Sequence, residues 1–449
     1  MSPTAWLLPC DVADLERSAP RNQAHRQLLS GAGVPFTEWG SELVLRPGQF
    51  DIAVFTHPYD RERPEQLWFD RVRACVPRTV YIPYGLSVGA GRKNLSLQFA
   101  QPLQRGADLV VVRCDAERAM YAKYCPKGDR HVQVLGHPRF DRLLGGIAMA
   151  RLGPLTERIG GRTSFLWNAH FSFVDRCRYG ANFSTFDLLG PDILSFFAAN
   201  AKRVCLVWRP HPALLSALDE QGLLRREDLP AFRCELNEAG IVLDETADHL
   251  PAFLCCDALL SDPGSFWFEY LATGRPMLPL VNPIGEPLNP EAMLLLELIG
   301  SASTAEAVLD FVRAVMAGER HGKEEREAAL HHLPMLDGQA GRRVCDAIAG
   351  RPTQKPAARR PAMCLQSTRP ARPELIEAMV WTQLPPGNTG PLLESVISGL
   401  KRMRAERQAE GALHNSLMRF HAALNSSIVE WVKGRPKLTR LLERVRRVR

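Results

Sequence analysis

The sequence has no long apolar run. Nothing in its 449 residues approaches the ~18 consecutive apolar residues that cross a membrane as a helix. It has no C-x-x-C pair either. Its eleven cysteines are odd in number and irregular in spacing, and several, such as Cys205 and Cys255, sit in apolar stretches. That pattern speaks for reduced, buried thiols in a reducing cytoplasm and against a disulfide framework. No group of residues has metal-ligand spacing, so neither a metal site nor a cofactor is expected. The N-terminus has no basic region before its short apolar run, so no signal peptide is expected. What is present is ordinary for a globular protein: 45% apolar and 23% charged residues rule out a disordered, collagenous or low-complexity chain.

The charge is unevenly spread. Residues 351–449 hold 19 Lys and Arg against 7 Asp and Glu, while the remainder holds 37 against 42. The net charge of +7 therefore belongs to a basic tail on a mildly acidic body.

Along the body, short apolar runs alternate with helical stretches. Residues 50–55, 79–82, 108–112 and 131–135 read as buried strands, with a helix over Cys114–Tyr124 capped by Asp115. A Gly-rich, basic stretch over 145–162 marks a boundary. The alternation restarts with strands at 164–167, 204–208, 240–243, 258–260 and 276–280, and helices at 192–200, 248–255 and 265–272. This predicts an α/β protein with parallel sheets in two units, residues 1–150 and 160–350. A Pro-rich basic linker, 351–373, and a helical basic extension, 374–449, follow.

Four segments carry chemistry. In Leu259–Tyr270 a strand runs through Asp262-Pro263-Gly264-Ser265 into a helix. Asp262 reads as its N-cap, and Gly264 and Ser265 leave free donors where a phosphate could sit; an ordinary capped helix is the competing reading. In Val207–Pro212, Arg209 and His211 leave a strand at its carboxyl end, where open α/β sheets bind ligands. His170 leaves the first strand of the same unit, so the two imidazoles point to one cleft. In Val134–Asp141, Asp141 reads as structural and Arg139 is left open.

The order of these segments resembles the CDP-glycerol glycerophosphotransferases, the teichoic-acid and capsule polyol-phosphate transferases. Their G-x-P-R-x-D element is matched by Gly136-His137-Pro138-Arg139-Phe140-Asp141. Their W-x-P-H element is similar to Trp167-Asn168-Ala169-His170, and their K/R-x-H-P to Arg209-Pro210-His211-Pro212. Ser261–Tyr270 is a looser version of T-D-Y-S-S-x-x-F-D-Y, and Asp337–Arg343 of D-G-x-A-x-x-R. Where many members read W-H-G-T-P, this chain reads Ile82-Pro83-Tyr84-Gly85-Leu86, with a tyrosine in place of the histidine. Tyr has a pKa near ~10 and is a poor base at neutral pH.

The resemblance implies a GT-B architecture, two Rossmann-like domains facing a cleft, the donor on the second. It implies transfer of a glycerol phosphate or other polyol phosphate from a CDP-linked donor to a hydroxyl of a polysaccharide or lipid-linked acceptor, with release of CMP. It gives His170 the acceptor-deprotonating role, and His211 and Arg209 the donor diphosphate. Asp262, Gly264 and Ser265 would cradle phosphate, Glu269 would meet a ribose hydroxyl, Arg139 would serve the donor, and Tyr84 and Gly85 would line the acceptor side. The alternatives are another GT-B glycosyltransferase or epimerase, or a non-catalytic relative. The apolar-and-basic pattern of residues 413–449 suits the anionic inner face of the cell membrane, and no motif supports nucleic acid.

Overall fold

In the computed structural model, residues 44–145, 152–173, 182–318, 322–333, 335–356 and 389–409 are described, with shorter pieces between 5 and 38 and between 374 and 379. Nine apolar runs become nine parallel strands in two sheets. The first sheet runs β3 (Ile52–Phe55), β4 (Arg78–Tyr81), β5 (Leu109–Val112) and β6 (Val132–Val134), paired in that order. Two short strands, β1 (Ala5–Leu7) and β2 (Phe36–Glu38), pair with each other apart from it. β5 is buried along its whole length, as a strand covered on both faces must be. One face packs on Phe69, Leu103 and Tyr121. The other packs on Val344 and Ala347 of the helix Ala340–Ile348.

That helix corrects the expected boundary at residue 350, because it returns from the second unit to cover the first. Gly136 explains how it comes so close: its φ is +79°, and a Cβ there would lie 3.0 Å from Ala340. Asp141 takes the structural role, accepting from the N–H groups of Ala340 and Gly341 at 3.0 and 2.6 Å.

The second sheet contains β7 (Thr163–Asn168), β8 (Val204–Trp208), β9 (Val242–Leu243), β10 (Ala258–Ser261) and β11 (Met277–Pro279), in the order β11-β10-β7-β8-β9. From β7 the chain winds outward through β8 and β9, then crosses back to β10 and β11. This is the doubly wound order, and its switch point lies between β7 and β10. Side chains alternate between faces. Phe165, Trp167, Leu206 and Trp208 join one core, and Leu166, Cys205 and Val207 join the other. On the first face Trp167, Trp208 and Phe186 stack pairwise at centroid distances of 5.4–5.7 Å, which pins the start of the helix Phe186–Ala199 over the switch point.

The basic extension begins as part of this domain. Residues 391–409 are helical, and Leu393, Val396, Ile397 and Leu400 recur at spacings of three and four in the same core as Trp208. Its Arg407 is buried against Asp187. The membrane-facing segment expected over 413–449 lies outside the described residues.

The two domains meet across the carboxyl ends of their strands. After β4, Ala90 N donates to Pro287 O at 2.7 Å, and Ser87 O accepts from Asn289 at 2.8 Å. After β5, Arg113 bonds Glu291. After β6, Arg139 bonds Glu269. Two Rossmann-like units facing one another in this way form a GT-B architecture.

Candidate functional site

The switch point sets the site. β7 ends at Asn168 and β10 at Ser261, and their ladder continues one step beyond as Asp262 N donates to Asn168 O at 3.0 Å. His170 and Asp262 therefore emerge side by side at the crevice. β8 brings its own exit alongside, because Arg209 N donates to Trp167 O and His211 N to Ala169 O. His170 and His211 come together with ring centroids 5.1 Å apart, and Phe171 stacks on both at 4.5 Å. The imidazoles that sequence spacing sends to one cleft are neighbours.

Asp262 does not cap the helix and does not face a ligand. It is 1% exposed, and the helix Phe266–Leu271 has its N-cap three residues later, at Ser265. Its carboxylate accepts from His170 N at 2.8 Å and from Thr185 N and Oγ1 at 3.1 and 2.6 Å. Burial pushes its pKa up to about 7, against the pull of the hydrogen bonds from Thr185 and His170. Asp262 thus fixes the backbone of His170 from beneath. Ser265 and Gly264 stay partly exposed, and a Cβ on Gly264 would meet nothing nearer than 3.9 Å, so the turn that follows Asp262 is open.

The other charged residues predicted to hold the donor are engaged within the protein. Arg209 reaches Asp244 at 2.6 Å and Thr246 O at 2.6 Å, which ties the exit of β8 to that of β9. Arg139 crosses from the first domain to Glu269 at 2.6 Å. Glu269 is 2% exposed, so it neither meets a ribose nor forms a surface pair; its second oxygen lies 2.9 Å from His249 Nε2. Burial raises its pKa, but the Arg139 charge and the His249 hydrogen bond outweigh it and hold it at about 2.

On the facing side, Tyr84 is 52% exposed and Gly85 has open space around it. Tyr84 packs on His57 at 5.4 Å and lies within electrostatic reach of Arg139, which places it on the cleft side of the first sheet. His57 follows β3, accepts from Tyr59 N and lies 2.8 Å from Glu62.

The base role expected for His170 conflicts with its hydrogen bonds. Ser172 N donates to Nδ1 at 3.2 Å. A nitrogen that accepts an N–H carries no hydrogen, so the neutral ring holds its hydrogen on Nε2. Burial, and then the neighbouring His211, keep the pKa of His170 well below the usual histidine value. His170 is a neutral donor, not a ready acceptor of protons.

Sequence reasoning missed Ser172, Thr185 and His249. Ser172 stands two residues from His170, a spacing that permits a side chain to turn back on its neighbour. Thr185 and His249 have no local signal, since their partners lie 77 and 20 positions away. A cavity of about 300 Å³ opens elsewhere on the domain seam, lined by Cys114, Asp115, Phe268, Leu271 and Leu295 among others; it includes none of the predicted site residues. Among the described residues no cluster of three or more His, Cys, Asp and Glu side chains could hold a metal, and no helix is long and apolar enough to cross a membrane.

No protein-family model matches the chain, and no curated protein does. Solved structures do. The wall teichoic acid polymerase TagF is similar at 10% identity and a TM-score of 0.47, over 78% of this chain and 88% of that one. MnaA of S. aureus, solved with UDP, is similar at 14% identity and 0.48, over 78% and 99%. A UDP-N-acetylglucosamine 2-epimerase is similar at 14% and 0.46, over 75% and 87%. At this identity the likenesses assign no residue and no reaction to this chain.

Proposed function

We propose that the protein is a phosphotransferase that moves a polyol phosphate, glycerol phosphate in the first instance, from a CDP-linked donor to a hydroxyl of a polysaccharide or lipid-linked acceptor, releasing CMP. The observation that carries this reading is the meeting of His170 and His211 at the switch crevice of the second sheet, with ring centroids 5.1 Å apart, while the open Gly264–Ser265 turn follows β10 out of the same sheet. A nucleotide diphosphate laid over that crevice meets N–H donors and no carboxylate of Asp262 or Glu269, both of which are buried and engaged. Phosphoryl transfer asks for positioning and for donors aimed where charge develops, and little else of a protein. Arg209 acts by holding the β8 and β9 exits together. Tyr84 and Gly85 stand on the acceptor side. Residues 413–449 then bring the enzyme to the anionic inner leaflet, where a lipid-linked acceptor is found.

CMP release from CDP-glycerol tests the reaction. His170→Ala and His211→Ala should each lower turnover by about 10²–10³, the cost of one lost donor at a developing oxyanion. Wild-type rates in both variants defeat the assignment. A thermal shift with UDP-sugars and none with CDP-glycerol or CDP-ribitol moves the reading to a nucleotide-sugar glycosyltransferase or epimerase. Co-sedimentation with anionic vesicles, for the full chain against one ending at residue 409, tests the tail; equal binding removes the membrane step.

A further inference from the structure

Both imidazoles at the crevice have their Nδ1 occupied from inside the protein. Ala213 N donates to His211 Nδ1 at 3.1 Å, just as Ser172 N donates to His170 Nδ1 at 3.2 Å. For His170 a second donor reinforces the first. Ser172 Oγ lies 2.7 Å from the same Nδ1 and itself accepts from Phe183 N at 3.1 Å. With its acceptor side taken, the hydroxyl hydrogen belongs to His170. Ser172 is 1% exposed, so water does not compete for it.

We propose that Ser172 is a positioning residue that locks His170 as a neutral Nε2–H donor, and that this uncharged N–H is what His170 offers a phosphate-type anion. This deepens the function proposed above: it names how the crevice would hold the diphosphate, and it rests on that reading only for the identity of the anion. Charging His170 would put a proton on Nδ1, facing two donors. The groups beside it give no help. His211 is a second imidazole, and Asp262, which takes up a proton at about 7 and so loses its charge as pH falls, spends its oxygens on backbone N–H groups and on Thr185. A receptor of this kind grips an anion without changing charge, and it does not release the anion as pH rises through the ordinary histidine range.

The test needs no substrate. In protein labelled with ¹⁵N-histidine and assigned with His170→Gln, the ring nitrogens of His170 should report hydrogen on Nε2 and stay unchanged from pH 8 to pH 6. Hydrogen on Nδ1, or a titration near 6.5, overturns the proposal whatever the enzyme does with CDP-glycerol. Inorganic sulfate, a dianion throughout this range, should shift the Nε2–H signal of His170, with an affinity that is flat in pH. Ser172→Ala should weaken sulfate binding about tenfold at pH 8 and make it tighten as pH falls, because Nδ1 then faces one donor, the backbone N–H, in place of two and accepts a proton more readily. Ser172→Thr, which restores the hydroxyl, should return the flat profile. Sulfate binding by Ser172→Ala that matches the wild type in strength and pH profile also overturns it. Should Ser172→Ala fail to fold, the wild-type nitrogen signals still decide. Correct tautomers with no CDP-glycerol turnover would remove the reaction and leave the receptor.

Discussion

The crevice between β7 and β10 and the seam between the two domains are built from opposite materials. The seam adds full charges to its neutral hydrogen bonds. Arg139, Glu269 and His249 form one cluster across it, and Arg113 with Glu117 and Glu291 forms another at 2.9 and 2.7 Å, the Arg113 guanidinium lying 4.3 Å from the ring of Phe268. The crevice holds two imidazoles, one of them kept neutral, and a carboxylate turned inward. Arg139 and Arg209 look in sequence like phosphate ligands, yet both are committed to carboxylates. In this fold formal charge serves the architecture, and under the proposed function uncharged donors are left for the ligand. A buried ion pair gains little net stability but costs much when half of it is removed. The seam should therefore answer to mutation in stability, and the crevice in binding.

The strongest way to break the comparison is Glu269→Gln. It leaves Arg139 and His249, 29% and 16% exposed, facing the neutral amide of a side chain that is itself 2% exposed, and should cost about 3 kcal/mol in urea unfolding. The pH dependence carries the sign. Glu269 ionises at about 2 in the fold against an ordinary 4.5. Its contribution is complete above 4.5 and is lost as pH falls toward 2. The variant should lack that acid loss. A variant as stable as the wild type, with the same acid profile, would show that the seam does not depend on this charge.

Asp262→Asn comes next. The amide can accept from one of the three donors now served, but its NH₂ faces the others, so about 1–3 kcal/mol should go, together with most of the turnover. Here the sign reverses. Asp262 keeps its proton to about 7 in the fold and to 3.8 in the unfolded chain, so between those values the fold binds the extra proton and stability falls as pH rises. The Asn variant should show no such fall. Lost stability with unchanged sulfate binding would mean that Asp262 serves the fold and not His170.

These two carboxylates also mark what a linear reading can reach. The nine strands of the two larger sheets were legible within one or two residues, because a parallel strand buried on both faces must be an apolar run, and β5 and β8 are buried throughout; the short pair β1 and β2 was not foreseen. The convergence of His170 and His211 followed from their places at neighbouring strand ends. The fate of Asp262 did not. An Asp-Pro-Gly ahead of a helix has the local form of a cap, and only the fold brings Thr185 to claim it. Glu269 has the form of a first-turn surface acid, and its partner Arg139 is 130 positions away in the other domain. The returning helix Ala340–Ile348 was missed for the same reason: the apolar stripe is visible in sequence, but the sheet it covers is not.

The smallest effect sharpens the contrast between buried and exposed charge within the seam itself. Arg142 and Asp248 also join the two domains, at 2.6 Å, but their side chains are 37% and 27% exposed. Water already solvates both, and two flexible side chains must be ordered to meet, so such a pair contributes little. Arg142→Met should change urea stability by less than about 0.5 kcal/mol and leave CMP release and sulfate affinity at wild-type values. Measured beside Glu269→Gln, it separates the two explanations of the seam. If proximity of opposite charges holds the domains, the two variants lose comparable stability. If the cost lies in stranding a charge away from water, only the buried site responds, and raising the salt concentration leaves that difference in place.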